Sequence, residues 1–267
     1  MQEWKKKTFE NWLKIKNTSR QILDMFDFVY ANDYITSKRL LSLGINEEKL
    51  FGVVSSKEQS KPLTYDLKEL NKFKKIFRNR KVWVAASTHV GEEQILGKAQ
   101  KILNELDKNF LLILVPRHPD RGMQIFKKLT PNGQITKIRS KRQNITKETS
   151  IYLADTLGEL GLWYNLSNIV FLGGSLVKIG GHNPFEPIRF GSAIISGPYI
   201  FNFKEAFDQL ENRGALITIR NTQELVEIIK TLSNKNNAHL IGQKGLKYIN
   251  SLSDKSSKII STINNFT

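Results

Sequence analysis

Cysteine is absent from all 267 residues. That excludes disulfides, thiolate metal sites and cysteine nucleophiles, and it fits a reducing compartment. Long apolar runs are missing too: no window approaches the roughly 20 residues that a bilayer-spanning helix needs, and no signal-peptide pattern opens the chain. The sequence is therefore expected to be soluble or peripheral to a membrane. Acidic charge is scarce, with 25 Asp and Glu against 41 Lys and Arg, for a net charge of +16. A field of that sign favours polyanions: nucleic acid, a phospholipid surface or a phosphorylated substrate. Many of the lysines sit in Lys/Asn/Ile-rich stretches such as LSNKNNAHLIGQKGLK (232–247), where the charge fits a solvated surface equally well. Internal repeats are also lacking.

What is present supports a folded core. Hydrophobic residues make up 40% of the chain and charged residues 25%, so disorder is not the default. Residues 4–25 place Trp4, Phe9, Trp12, Leu13, Ile22 and Leu23 at helical intervals among basic residues. FDFVYA (26–31) reads as a strand, ITSKRLLSLG (35–44) as a helix closed by Gly44, and KLFGVV (49–54) as another strand. The polar stretch SSKEQSKPLTYD (55–66), with Pro62, marks a domain boundary. Beyond it, short apolar strands alternate with amphipathic helices: KVWVAAS, FLLILVP, QITKI, SIYLADT, NIVFLGG, SAIISGP and ALITI are the strands. This pattern predicts an α/β fold, a Rossmann-like parallel sheet with helices on both faces. Ligands of such sheets bind beyond the carboxyl ends of the strands.

Four strand ends carry unusual polar residues. The first runs into Ser87, Thr88, His89, Gly91, Glu92 and Glu93; the second into Pro116, Arg117, His118, Pro119 and Arg121. The third runs into Thr156, Leu157, Gly158 and Glu159; the fourth into Gly173, Gly174, Ser175 and then the octet GGHNPFEP (180–187). Three of the four histidines, His89, His118 and His182, lie in these loops.

Each loop has a plainer explanation beside the functional one. Ser87 or Thr88 followed by acids is a common helix N-terminal signature, and the same residues can face a ligand. Arg117 pairs with a surface carboxylate or, held between Pro116 and Pro119, presents its guanidinium fork to a phosphate. Gly173-Gly174 permits a tight turn and close approach, but neither GxGxxG nor a Walker loop is present, so neither NAD nor ATP is indicated. In the octet, Asn183 reads as an N-cap, Pro184 as the first helical residue and Glu186 as the third. Held that way, Asn183 and Glu186 also offer fixed polar groups to a ribose. A three-histidine zinc site has no helix or hairpin logic in its spacing, and no metal is expected. Trp83 and the Trp163-Tyr164 pair read as core aromatics. The basic start at residues 4–16 suits a nucleic acid or a membrane surface.

ASTHVGEE (86–93), VPRHPDR (115–121), LGELGLWY (157–164), FLGGSLVKIGGHNPFEP (171–187) and ISGPYIFNF (195–203), in that order and spacing, resemble the bacterial 3-deoxy-D-manno-octulosonic acid (Kdo) transferases. Residues 3–50 also resemble the last elements of that family's first domain. The resemblance implies a GT-B glycosyltransferase, built of two Rossmann-like domains facing each other across a cleft. Residues 1–58 would be a remnant of the N-terminal acceptor domain with its linker. Residues 59–267 would be the C-terminal CMP-Kdo binding domain.

The implied reaction moves Kdo from CMP-Kdo to the lipid A precursor in lipopolysaccharide biosynthesis. It would run at the cytoplasmic face of the inner membrane, the protein sitting peripherally on that anionic surface, with no cofactor and no specific nucleic acid. By motif, Pro116 and Arg117 would hold the nucleotide phosphate, and Leu157, Gly158 and Glu159 would line the nucleotide. Asn183, Pro184, Phe185 and Glu186 would complete the CMP site, with Glu186 on the ribose. Ser87, Thr88, His89, His118, Gly174, Ser175 and His182 are further candidates. The family's catalytic base, an N-terminal glutamate, has no counterpart here, which leaves the catalytic residue unassigned. It implies a chain inactive alone, served by a separate N-terminal domain chain. Relatives commonly carry Gly-(Asn or Ser)-Leu-Lys where Val54-Ser55-Ser56-Lys57 stands. Two other readings fit the charge and fold: a basic binding protein for anionic lipid or nucleic acid, and a sugar-nucleotide epimerase.

Overall fold

The computed structural model describes residues 6–31, 34–53, 63–234 and 236–264. The chain divides into two compact units, Met1–Ser60 with Leu252–Thr267, and Lys61–Ser251. The expected boundary after residue 58 and the Val54–Lys57 departure both lie outside the described residues.

In the smaller unit, α1 (Lys6–Lys14), α2 (Lys16–Asp24) and α3 (Tyr34–Ser42) accompany two parallel strands, β1 (Val29–Ala31) and β2 (Leu50–Val53). Leu23, Ala31, Leu40, Leu43 and Ile45 form its core. The single helix expected over 4–25 is broken at Ile15, whose φ of −121° and ψ of 43° leave the helical region. At the break the Trp12 carbonyl accepts the Ile15 amide at 3.2 Å and the buried Ser19 hydroxyl at 2.8 Å.

The larger unit begins with α4 (Leu67–Ile76), a helix that the sequence pattern leaves unassigned between the boundary segment and the first strand. Asp66 caps it, accepting the Lys68 and Glu69 amides, and Leu70 and Phe73 are its buried stripe. Then come β3 (Lys81–Thr88), α5 (Glu92–Leu106), β4 (Phe110–Pro116), α6 (Gly122–Leu129), β5 (Thr136–Ile138), β6 (Ile151–Leu153), α7 (Leu160–Leu166) and β7 (Ile169–Leu172). The chain continues through α8 (Phe185–Ile188), β8 (Ala193–Ser196), α9 (Lys204–Asn212), β9 (Leu216–Thr218), α10 (Thr222–Leu232) and α11 (Asn237–Asn264).

Seven parallel strands form one sheet in the order β5-β6-β4-β3-β7-β8-β9. Because side chains alternate along a strand, each strand feeds both faces. Trp83, Ala85, Leu112, Leu114, Phe171 and Ile195 pack beneath α5, α6 and α10 on one face. Tyr152, on the other, meets Phe73 of α4 and Trp163 of α7. This is the expected α/β architecture. Trp83, Trp163 and Tyr164 are all buried, so they are core residues, as the sequence indicates. Among the described residues no helix is long and apolar enough to cross a membrane.

The topology fixes where a ligand goes. From β3 the chain moves out to β4, and it later returns to β7 on the opposite flank of β3. The carboxyl ends of β3 and β7 therefore bound a switch-point crevice.

Candidate functional site

The end of β3 is shaped by a bulge. Pairing with β4 shifts between Ala86 and Thr88, and Ser87 between them takes a φ of 55°. That left-handed backbone is uncommon outside glycine, and it re-aims the residues that follow. Thr88 is buried, its hydroxyl donating to Glu93 at 3.3 Å and its carbonyl accepting the Arg117 amide at 3.0 Å. Arg121 donates to the same Glu93 oxygen at 2.9 Å. Glu93 thus ties the loop after β4 to the start of α5.

Glu92 ties the loop after β7. Its carboxylate is fully buried and accepts four backbone amides: His89 at 2.9 Å, Gly174 at 2.8 Å, and Ser175 and Leu176 at 3.0 Å each. Burial pushes this carboxyl up, and the four amides pull against that rise. Gly173 is required where the two loops cross, since an added Cβ would collide with the Ser87 carbonyl. Ser175 is buried as well, its hydroxyl donating to the Leu172 carbonyl at 2.6 Å and accepting the Gly197 amide at 2.8 Å. The Gly174–Ser175 turn therefore differs from its expected role. Its amides form an anion cradle, but the protein's own carboxylate fills it.

Above this clamp three histidines gather. His89 Nε2 and His182 Nε2 are 2.8 Å apart, with ring planes inclined by 6°. His118 stands edge-on to His89, with 6.0 Å between centroids. Burial above all, then His118, Arg121 and Arg117, hold His89 below the ordinary imidazole range, against the pull of Glu93. His182 is pushed down to about 4 by burial first, then by His89, Arg117 and His118. Among the described residues no group of three or more His, Asp or Glu is arranged to hold a metal ion.

Arg117 is exposed, and its positive charge acts on His89, His182 and Glu186. The loops after β3, β4 and β7 therefore share one electrostatic neighbourhood. Within the octet, Asn183 Oδ1 accepts the Phe185 amide at 3.0 Å. The cap position of α8 falls at Pro184, which makes no side-chain cap bond, so Asn183 stands one residue ahead of the expected N-cap. Burial raises the Glu186 carboxyl, while Arg117 and Asn183 lower it. Pro184 and Phe185 are buried and serve as packing under the turn. Pro116 is the buried last residue of β4.

The 157–159 turn is used differently. Glu159 receives Arg139 on both oxygens, at 3.1 and 2.6 Å, and the Thr156 hydroxyl as well. Arg139 also pairs with Glu69 of α4 at 2.8 Å and lies over the Phe73 and Trp163 rings. The Glu159 carboxylate is thus committed to joining α4, α7 and the segment after β5. What the turn leaves for a ligand is the Leu157 side chain, 81% exposed, and the exposed backbone of Gly158, whose φ is 77°.

Two of these devices escape sequence reasoning, the Glu92 clamp and the Arg139–Glu159 pair. Only the Glu92 bond to the His89 amide is local; its bonds to residues 174–176 span 82 to 84 positions and the Arg139–Glu159 pair spans 20, so no local signal marks those. Chemically, the rim offers a guanidinium, three imidazoles and a half-buried carboxylate beside an amide. That set suits a phosphate next to a polyhydroxylated group.

No family model matches the chain. A 3-deoxy-D-manno-octulosonic acid transferase of Haemophilus influenzae is 33% identical over 240 residues, 88% of this chain and 56% of the relative. A transferase of the same name from Rickettsia typhi is 31% identical over 235 residues, 87% of this chain and 50% of the relative. The chain thus spans about half the length of these curated relatives. The crystal structure of the C-terminal CMP-Kdo binding domain of WaaA from Acinetobacter baumannii matches with a TM-score of 0.64 and 34% identity. That match covers 67% of this chain and 95% of the solved domain. With 33% identity over 88% of its length to the Haemophilus transferase and 34% identity across 95% of the solved domain, the chain belongs to the 3-deoxy-D-manno-octulosonic acid transferase family.

Proposed function

We propose that this chain is the donor-binding portion of a glycosyltransferase that moves Kdo from CMP-Kdo to a lipid A precursor. The observation that carries the reading is the 34% identity to the Acinetobacter CMP-Kdo binding domain across 95% of that domain. The rim chemistry agrees with it. In this reading Arg117 takes phosphate oxygens, and Glu186 and Asn183 accept from and donate to ribose hydroxyls, roles that suit their chemistry. As the bond from phosphate to sugar breaks, negative charge grows on the departing CMP, and a fixed cation beside it stabilises that charge. The acceptor hydroxyl is deprotonated by a group outside this rim, supplied by an acceptor domain.

Calorimetry with CMP tests the reading. Saturable binding is expected, and no saturable heat at millimolar CMP would overturn it. A radiolabelled-donor assay, with and without an added acceptor domain, then separates binding from transfer. Labelled lipid is expected only with that domain.

The same reading places the protein at the cytoplasmic face of the inner membrane, held by its charge. The support is the excess of 41 basic over 25 acidic residues. Sedimentation with anionic vesicles at low salt, lost with neutral vesicles, is the expected result.

A further inference from the structure

We propose that His89 and His182 act as one proton-sharing pair that grips the doubly charged phosphate of a nucleoside monophosphate, taking up one proton from solvent as the dianion binds. The proposal rests on the nucleotide-donor reading above and adds to it the residues that recognise the leaving group.

The geometry sets the proton count. Two Nε2 atoms 2.8 Å apart hold a single proton between them, so one ring donates and the other offers a lone pair. The permanently charged neighbours are mostly cationic: Arg117 and Arg121 face His89 against the charge of Glu93, and Arg117 faces His182. Burial and these neighbours keep both rings neutral near pH 7 without a ligand.

A phosphate dianion supplies the missing counter-charge. With one further proton from solvent, which forms one imidazole N–H bond and breaks one X–H bond of the buffer or hydronium donor, each ring can direct an Nε2–H at a phosphate oxygen, and no bond between heavy atoms changes. A phosphodiester carries one negative charge and offsets less of the cationic field. The pair therefore binds the departing mononucleotide more tightly than the intact donor, so it favours the charge that develops as the sugar leaves.

The pair is also preorganised. Glu92 accepts the amides of both His89 and Gly174, at 2.9 and 2.8 Å. A Cβ placed on Gly174 would sit 3.3 Å from the His182 ring, so the clamped turn lies directly against it.

Calorimetry of CMP binding in buffers of different ionisation enthalpy reads the proton directly. Uptake approaching about one proton per CMP is expected near pH 7.5, with affinity falling by up to about tenfold per pH unit above that. The chain has four histidines, so long-range nitrogen-15 spectra of the intact protein distinguish their rings. Both Nε2 atoms should carry protons in the CMP complex.

His89→Gln and His182→Gln should each weaken CMP by roughly tenfold or more and abolish the uptake, at unchanged secondary structure. Saturable CMP binding with no proton uptake and one bare Nε2 would overturn this proposal and leave the donor reading standing. Absence of CMP binding would overturn both. The spectra use the unmodified protein, so they decide even where a variant fails to fold.

Discussion

Glu92 accepts the Gly174 amide at 2.8 Å across 82 positions of sequence. The same carboxylate takes the amides of Ser175, Leu176 and His89, so one buried charge holds the loop after β7 against the loop after β3. A glycine turn at a strand end is the usual place to cradle a phosphate, and here it is already filled. Under the proposed donor reading, a nucleotide phosphate is expected further out, toward Arg117 and the histidines.

Replacing Glu92 tests how far the rim depends on that charge. Glu92→Gln keeps the shape but offers one acceptor oxygen to four amides and turns an NH2 toward them. A loss of about 2 to 4 kcal/mol in unfolding free energy is expected, since charged hydrogen bonds are lost and buried amides are left unpaired. Urea denaturation measures it. A change within about 0.5 kcal/mol, the range of surface substitutions, would show that the clamp is dispensable.

Arg117 should behave in the opposite way. Its side chain is exposed, so Arg117→Ala is expected to leave the melting temperature nearly unchanged. CMP binding should weaken by about 1.5 to 3 kcal/mol, the range for a charge-assisted hydrogen bond. Calorimetry on variant and parent decides, and equal affinities would remove Arg117 from the site.

How much of this was legible follows from which interactions are local. FLLILVP is buried at every position because β4 has sheet neighbours on both sides and helices on both faces, so its composition announces it. The turn at Asn183 is legible because its bond to the Phe185 amide spans only two residues, although the cap position itself falls at Pro184 and not at Asn183. Asp66 closes the stretch that reads as a boundary, and the pattern leaves the residues beyond it unassigned, yet Asp66, Leu70 and Phe73 carry a cap and a helical stripe. The break at Ile15 has no glycine or proline to mark it. Glu92 is legible as a capping acid toward His89, but its three bonds to residues 174–176 depend on the sheet bringing β3 beside β7. Glu159 shows the same limit: its type suits the lining of a nucleotide, and only the fold reveals that its two oxygens bond Arg139, 20 residues away.

That ion pair makes a stability prediction. Arg139→Ala leaves Glu69 and Glu159 close together without their shared cation and removes a guanidinium from the faces of Phe73 and Trp163. A loss on the order of 2 kcal/mol is expected, as the groups are partly rather than fully buried. Arg139→Lys should recover part of it, because an ammonium cannot serve Glu159 with a fork. Full recovery by lysine would mean that charge alone matters there.

Glu186 couples stability to pH with a definite sign. Its folded carboxyl is raised above the ordinary 4.5, chiefly by burial, so the folded state holds that proton more tightly than the unfolded chain does. The stabilising contribution is complete below 4.5 and is lost as pH rises through the folded value. Glu186→Gln should therefore be more stable than the parent at pH 7, with the gap closing toward pH 4. It should also bind CMP roughly tenfold more weakly, because an acceptor for the ribose is lost. Parallel melting curves at the two pH values check the first statement, and a constant gap would refute it.

His182 runs the other way. Its folded value of about 4 lies below the ordinary 6.5, so the unfolded chain binds the proton that the folded one refuses. The stabilisation is whole above pH 6.5 and drains away as the pH falls toward 4. Its size is on the order of 2 kcal/mol once solvent screening of a half-exposed pair is discounted. His182→Gln cannot take up that proton, so its stability should fall less than the parent's between pH 7 and 4.5. Glu186 changes in the reverse sense over the same interval, so the double variant His182→Gln/Glu186→Gln isolates each contribution by difference. Urea midpoints at a series of pH values give both. If His182→Gln and the parent lose stability in parallel, the imidazole pair does not control the acid limb of this fold.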